Sequence, residues 1–136
     1  MRHVDLSDPG YVQKKRTNYQ HANPKNLQHS LYQAQPIQYG TKVQQLVKSD
    51  TSAPLSDEKT KWVQDIVGNF VWYSRVCDHT LAASLSAIAS RQTKVTEYAM
   101  TACHQLLDYI ATHPDASIWY HASDMILAFD TDVSYL

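Results

Sequence analysis

The residues able to do chemistry fall into five small sets. Two carboxylates, Asp130 and Asp132, stand two positions apart in a strand-like run over residues 125–134, so both point to one face. Carboxylates in that relation read as an acidic pair at a possible active site. Lys14, Lys15 and Arg16 form a consecutive basic cluster. Such a cluster is either a solvated helix edge or a surface that contacts phosphates. Lys59, Lys61 and Arg75 are further candidate phosphate contacts.

The other reactive side chains carry less. His79, His104, His113 and His121 fit no HExxH or paired-ligand spacing, and read as surface or capping residues. Cys77 and Cys103 form no CxxC and lie in apolar helical patterns, which predicts buried free thiols. Ser74, Ser84, Ser86 and Ser90 include no GxSxG elbow. The three glycines, Gly10, Gly40 and Gly68, are dispersed and make no phosphate-cradling loop.

The elements that position these groups follow from the pattern of 136 residues, enough for one domain or a small domain with an irregular arm. The net charge of -1 leaves any nucleic-acid contact to a local basic face. No apolar run approaches the ~20 residues of a membrane span. The first ten residues lack the apolar core of a signal peptide, so an intracellular protein is expected.

Residues 1–20 predict one weakly amphipathic helix, capped at Ser7 or Asp8, with Pro9 at its first position. Residues 21–55 predict an irregular linker, broken by Pro24, Pro36 and Pro54. Residues 56–113 predict three helices. The first is capped around Ser56, with Trp62, Ile66, Phe70 and Tyr73 as its apolar stripe. The second follows a break at Asp78-His79-Thr80 and carries Leu81, Leu85 and Ile88. The third starts near 93–96 and stops at His113-Pro114, because a residue before proline is pushed out of the helical region. Residues 114–136 predict a β-hairpin of two strands, 117–121 and 125–134, around a short polar turn. The fold class is therefore α+β: an irregular arm, a three-helix core and a C-terminal hairpin. The Trp62/Phe70/Tyr73 stripe and the pair Trp119 and Tyr120 read as packing residues before they read as base-stacking platforms.

Five segments, in order, resemble the C-terminal part of the copia-type retrotransposon Pol polyprotein, where reverse transcriptase runs into RNase H. Leu6-Ser7-x-Pro9-Gly10-Tyr11-Val12-x-Lys14 resembles the family's LSQPGYIxK. Gln64-x-Ile66-Val67-Gly68 with Val71-x-Tyr73-Ser74-Arg75 resembles IVGxLxYxxR, and Leu106-Leu107-x-Tyr109-x-Ala111-Thr112 resembles RxLxYLxGT. Ser117 to Tyr120 resembles the GLxY strand, and Phe129-Asp130-Thr131-Asp132-Val133-Ser134 resembles GYSDADW.

The resemblance implies a thumb-like helix remnant over 1–20, a connection-like helical region over 56–113, and the start of an RNase H-like sheet over 114–136. It makes Asp132 the first of four metal-binding RNase H carboxylates, with Mg2+ or Mn2+ the cofactor of the parent enzyme. The polymerase aspartates and the other RNase H carboxylates have no counterpart in these 136 residues, and Lys15 and Arg16 stand where apolar thumb positions are expected. The expectation is thus a truncated, non-catalytic Pol fragment needing no cofactor, with an RNA–DNA hybrid or the remainder of the polyprotein as partner. The alternative is a nucleic-acid-binding or helical interaction module derived from such an element. In either case residues 56–112 are expected to be the ordered part, with 115–136 loosely attached or aggregation-prone.

Overall fold

A computed structural model of the chain describes residues 2–32 and 50–122. It is α+β, with strand β1 (His3–Ser7), helices α1 (Tyr11–Asn18), α2 (Asp57–Val76), α3 (Ala82–Ala89) and α4 (Glu97–Thr112), and strand β2 (Ser117–His121). The second run of the expected hairpin, 125–134, lies outside the described residues.

The three central helices form where the periodicity of the chain puts them. Ser56 is the N-cap of α2, and Asp57 and Glu58 place negative charge in its first turn, favourable against the helix dipole. Val63, Ile66, Val67, Phe70 and Tyr73 make its buried stripe. Asp78 accepts a hydrogen bond from the Thr80 backbone N–H at 3.0 Å and starts a short 3-10 turn, His79–Leu81, that leads into α3. Thr96 caps α4, whose Ala99, Cys103, Leu106, Leu107 and Ile110 are buried. Packing α2 against α3 and α4 joins these residues into one core, completed by Val12, Leu81, Leu85, Ile88 and Val95. Cys77 and Cys103 are free and buried in it.

The N-terminal twenty residues depart from the expected single helix. His3–Ser7 is a strand, and the N-cap of α1 is Gly10, at φ 83°, rather than Ser7 or Asp8. Ser7 is taken up by its pairing with Ser117, and Asp8 offers its backbone oxygen to the Tyr11 N–H at 3.2 Å. Pro9 precedes the helix. The left-handed turn at position 10 favours a residue without Cβ.

β2 forms at the expected residues, and its partner among the described residues is β1. The two run antiparallel, from His3↔His121 to Ser7↔Ser117. Val4 and Leu6 face Tyr120 and Ile118 across the ribbon on one side, while His3, Asp5 and Ser7 face His121, Trp119 and Ser117 on the other. The ribbon stands out from the core, with Val4 and Trp119 well exposed.

Described parts of the arm carry no helix or strand, yet they are fastened down. Residues 53–55 clip onto 95–97 through Leu55 N–H to Val95 O and Glu97 N–H to Ala53 O. Residues 21–30 lie along α4: the Gln28 N–H donates to Thr112 Oγ1 at 2.9 Å, and Gln105 Nε2 donates to Ser30 O at 3.1 Å.

Candidate nucleic-acid interface

The basic cluster of α1 is divided by its own helix. Successive residues are about 100° apart around the axis, so three neighbours cannot share one edge. Lys14 is exposed, Lys15 is half-buried and Arg16 is only 5% exposed. Arg16 turns inward and ties down the chain that leaves the helix. Its guanidinium donates to Asn23 Oδ1 at 2.6 Å and Gln13 Oε1 at 3.3 Å, with His21 O at 3.5 Å. Its Nε has no partner among the described residues. Arg16 is thus a structural residue here, not an exposed phosphate contact.

Lys15 is held at the surface by two contacts to residues that the fold brings beside it. Its Nζ donates to Asn69 Oδ1 at 2.5 Å and lies 5.5 Å from the Tyr11 ring centroid. Tyr11 in turn donates its hydroxyl to Asn69 O at 3.0 Å. The Tyr11 hydroxyl is pushed above its ordinary pKa, first by burial and then by Tyr19 and Asp8 nearby, so it stays a neutral donor. Beside Tyr11 stands Trp72, ring centroids 5.3 Å apart and 48% exposed.

Arg75 is exposed one turn further along α2, on the same side as Trp72. Lys59 and Lys61 are exposed at the other end of that helix, about 21–24 Å along its axis from Arg75 at roughly 1.5 Å per residue. The structure therefore brings Lys15 and Trp72 to the same Tyr11 ring, places Arg75 one turn from Trp72, leaves Lys14 exposed next to Lys15 in the chain, and sets Lys59 and Lys61 apart. Among the described residues none of these basic side chains has a carboxylate within 4.0 Å, the one ion pair there being His21–Asp108.

Comparison with protein families, curated proteins and solved structures finds no match to this chain.

Trp72 is the residue that sequence reasoning passed over. The signal was there, since helical periodicity places it well off the buried stripe of Val63, Ile66, Phe70 and Tyr73. What no local pattern contained was its neighbour: Tyr11 comes from a different helix. Asp130 and Asp132, the candidate metal ligands, lie outside the described residues.

The histidines do structural work. His21 Nε2 meets Asp108 Oδ1 at 2.7 Å, and His104 lies between His21 and Trp62, ring centroids 5.8 Å and 5.3 Å away. Burial, and then the neighbouring His21, hold His104 below its ordinary pKa, with Asp108 working the other way. His29 Nδ1 and His113 Nε2 share a hydrogen bond at 3.1 Å, and His79 Nε2 bonds Arg75 O at 3.0 Å. Among the described residues no three His, Cys, Asp or Glu side chains converge to hold a metal ion. Burial pushes the Cys103 thiol up to about 12 and raises Cys77, so neither offers a thiolate near neutral pH. No helix among the described residues is long and apolar enough to cross a membrane.

Proposed function

We propose that this chain is a segment of a copia-type retrotransposon Pol polyprotein, running from the reverse-transcriptase thumb through the connection into the start of RNase H. In this reading it does not cleave nucleic acid alone and acts by contacting it. The first helix is the thumb remnant, helices α2 to α4 the connection-like core, and β2 the opening of an RNase H-like sheet.

The observation that supports the reading is that four of the five resembling segments meet one another. Leu6 and Ser7 pair with Ile118 and Ser117. Gly10 makes the left-handed turn into α1, and Tyr11 stacks on Tyr73. Leu106 and Leu107 lie in the same core as Ile66 and Val67. The resembling segments thus supply much of one packed core. The fifth segment carries Asp132, which the resemblance makes the first RNase H carboxylate. A two-metal site needs a cluster of such groups around cations about 3.5–4 Å apart, and a lone Asp132 supplies one ligand.

The test is binding and cleavage of an RNA–DNA hybrid by the whole chain. Binding that weakens steeply as salt rises, with no cleavage in Mg2+ or Mn2+, is the expected result. Affinity indifferent to salt would count against phosphate contacts and leave a helical protein-interaction module as the better reading. Cleavage abolished by Asp132→Asn would overturn the non-catalytic assignment.

A further inference from the structure

The nucleic-acid reading leaves open which strand form the basic face takes, and the surroundings of Trp72 bear on that. We propose that Trp72, which shares the Tyr11 ring with Lys15, is a stacking subsite for an unpaired base of single-stranded nucleic acid. This inference rests on the reading of the chain as a nucleic-acid-contacting segment.

Three observations carry it. First, Trp72 is a large aromatic side chain left 48% exposed on a helix whose core stripe is fully occupied without it. Its tilted contact with Tyr11, at 45° between planes, sets the ring against the first helix. Second, its own helix sets no acid beside it, the carboxylate nearest in this region being Asp8 at the Tyr11 hydroxyl. The residues three and four positions away on α2 are Gly68, Asn69, Arg75 and Val76, none of them acidic. Across the helix pair, Lys15 is held near the Tyr11 ring by Asn69, with Lys14 exposed next to it. An aromatic platform flanked by cations suits a base followed by its phosphates.

Third, the other exposed tryptophan lacks these features. Trp119 is 57% exposed, but His3 stacks against it at 5.0 Å and its cross-strand partner is Asp5, whose charge repels phosphate. A duplex keeps its bases stacked on each other and offers none to a side chain, whereas a single strand presents every base. Trp72 therefore favours unpaired nucleotides, and the neighbouring lysines supply the charge attraction common to both forms.

The experiment compares the whole chain with its Trp72→Ala, Trp72→Phe and Lys15→Gln variants, measuring anisotropy of labelled oligo-dT and of an RNA–DNA hybrid across a salt series. Trp72→Ala is expected to lose roughly tenfold in affinity for oligo-dT with its salt slope unchanged, and Trp72→Phe to recover most of the loss. Hybrid affinity stays within about twofold for both, and Lys15→Gln lowers the salt slope for both ligands by roughly one. Salt-dependent hybrid binding with oligo-dT affinity indifferent to Trp72→Ala would overturn this subsite and leave the broader reading standing. Failure of the unaltered chain to bind either ligand would overturn both. Equal losses for oligo-dT and hybrid on Trp72→Ala, with unfolding curves unchanged, would overturn the single-strand preference.

Discussion

The Tyr11 ring lies parallel to the Tyr73 ring, with centroids 5.1 Å apart and planes 3° from coincidence. This one stack joins the first helix of the chain to the central helix of the core. Phe70 meets both rings edge-on, at 6.2 Å and 6.3 Å. Tyr73 is fully buried, its hydroxyl pushed up to about 12 chiefly by that burial, and it reaches toward Pro114 O at 3.5 Å. The same side chain thus touches α1 and the connection that leads to β2.

Tyr11→Ala is expected to destabilise the chain by about 2 kcal/mol, since it removes a stacked aromatic pair and leaves Asn69 O without its hydroxyl donor. Urea unfolding checks the magnitude. Amide exchange checks the location, because protection in β1 and α1 should fall before protection in α2.

Two glycines should respond to alanine with opposite signs. At Gly10 no atom lies within 4 Å of an added Cβ, so the cost comes from φ 83° alone, about 1–2 kcal/mol. Gly68 sits inside α2 with equally open space and no positive φ, so alanine there should stabilise by roughly 1 kcal/mol. Thermal unfolding of the two variants would show one midpoint falling and the other rising.

Arg16→Lys should destabilise by about 1.5–3 kcal/mol, because a single ammonium cannot replace the bonds to Asn23, Gln13 and His21 O. Lys14→Gln should leave stability within about 0.5 kcal/mol. The salt dependence of nucleic-acid binding should respond in reverse, moving with Lys14 and not with Arg16. Paired unfolding and binding measurements separate the two roles.

Acidification should weaken the packing around His104, which lies against His21 and Trp62. Its folded-state pKa is depressed below the ordinary 6.5, first by burial. The unfolded chain takes up that proton first, so the contribution is whole above pH 6.5 and declines as the pH falls below it. Urea unfolding followed across that range should show stability falling below pH 6.5, and a His104→Gln variant should lose most of that dependence.

The helical core was legible in the chain because its signals are local. The stripe of α2, the Asp78 cap, the Thr96 start of α4 and the His113-Pro114 stop each depend on residues within one or two turns. The strand at Ser117–His121 was legible for the same reason, from Ile118, Trp119 and Tyr120.

Tertiary structure decided whatever depends on residues far apart in the chain. His3–Ser7 is an exposed five-residue segment whose strand character comes from β2, more than a hundred residues later. That pairing occupied Ser7 and moved the helix start to Gly10. Arg16 is a nearer case: His21 and Asn23, only five and seven residues on, meet it through an irregular turn that no helical or strand period describes. Trp72 gained its meaning only when Tyr11 and Lys15 were brought beside it. Periodicity says which face of an element is apolar, while the partner for each polar or exposed group is set by packing between elements, where neighbouring positions in space are distant in sequence.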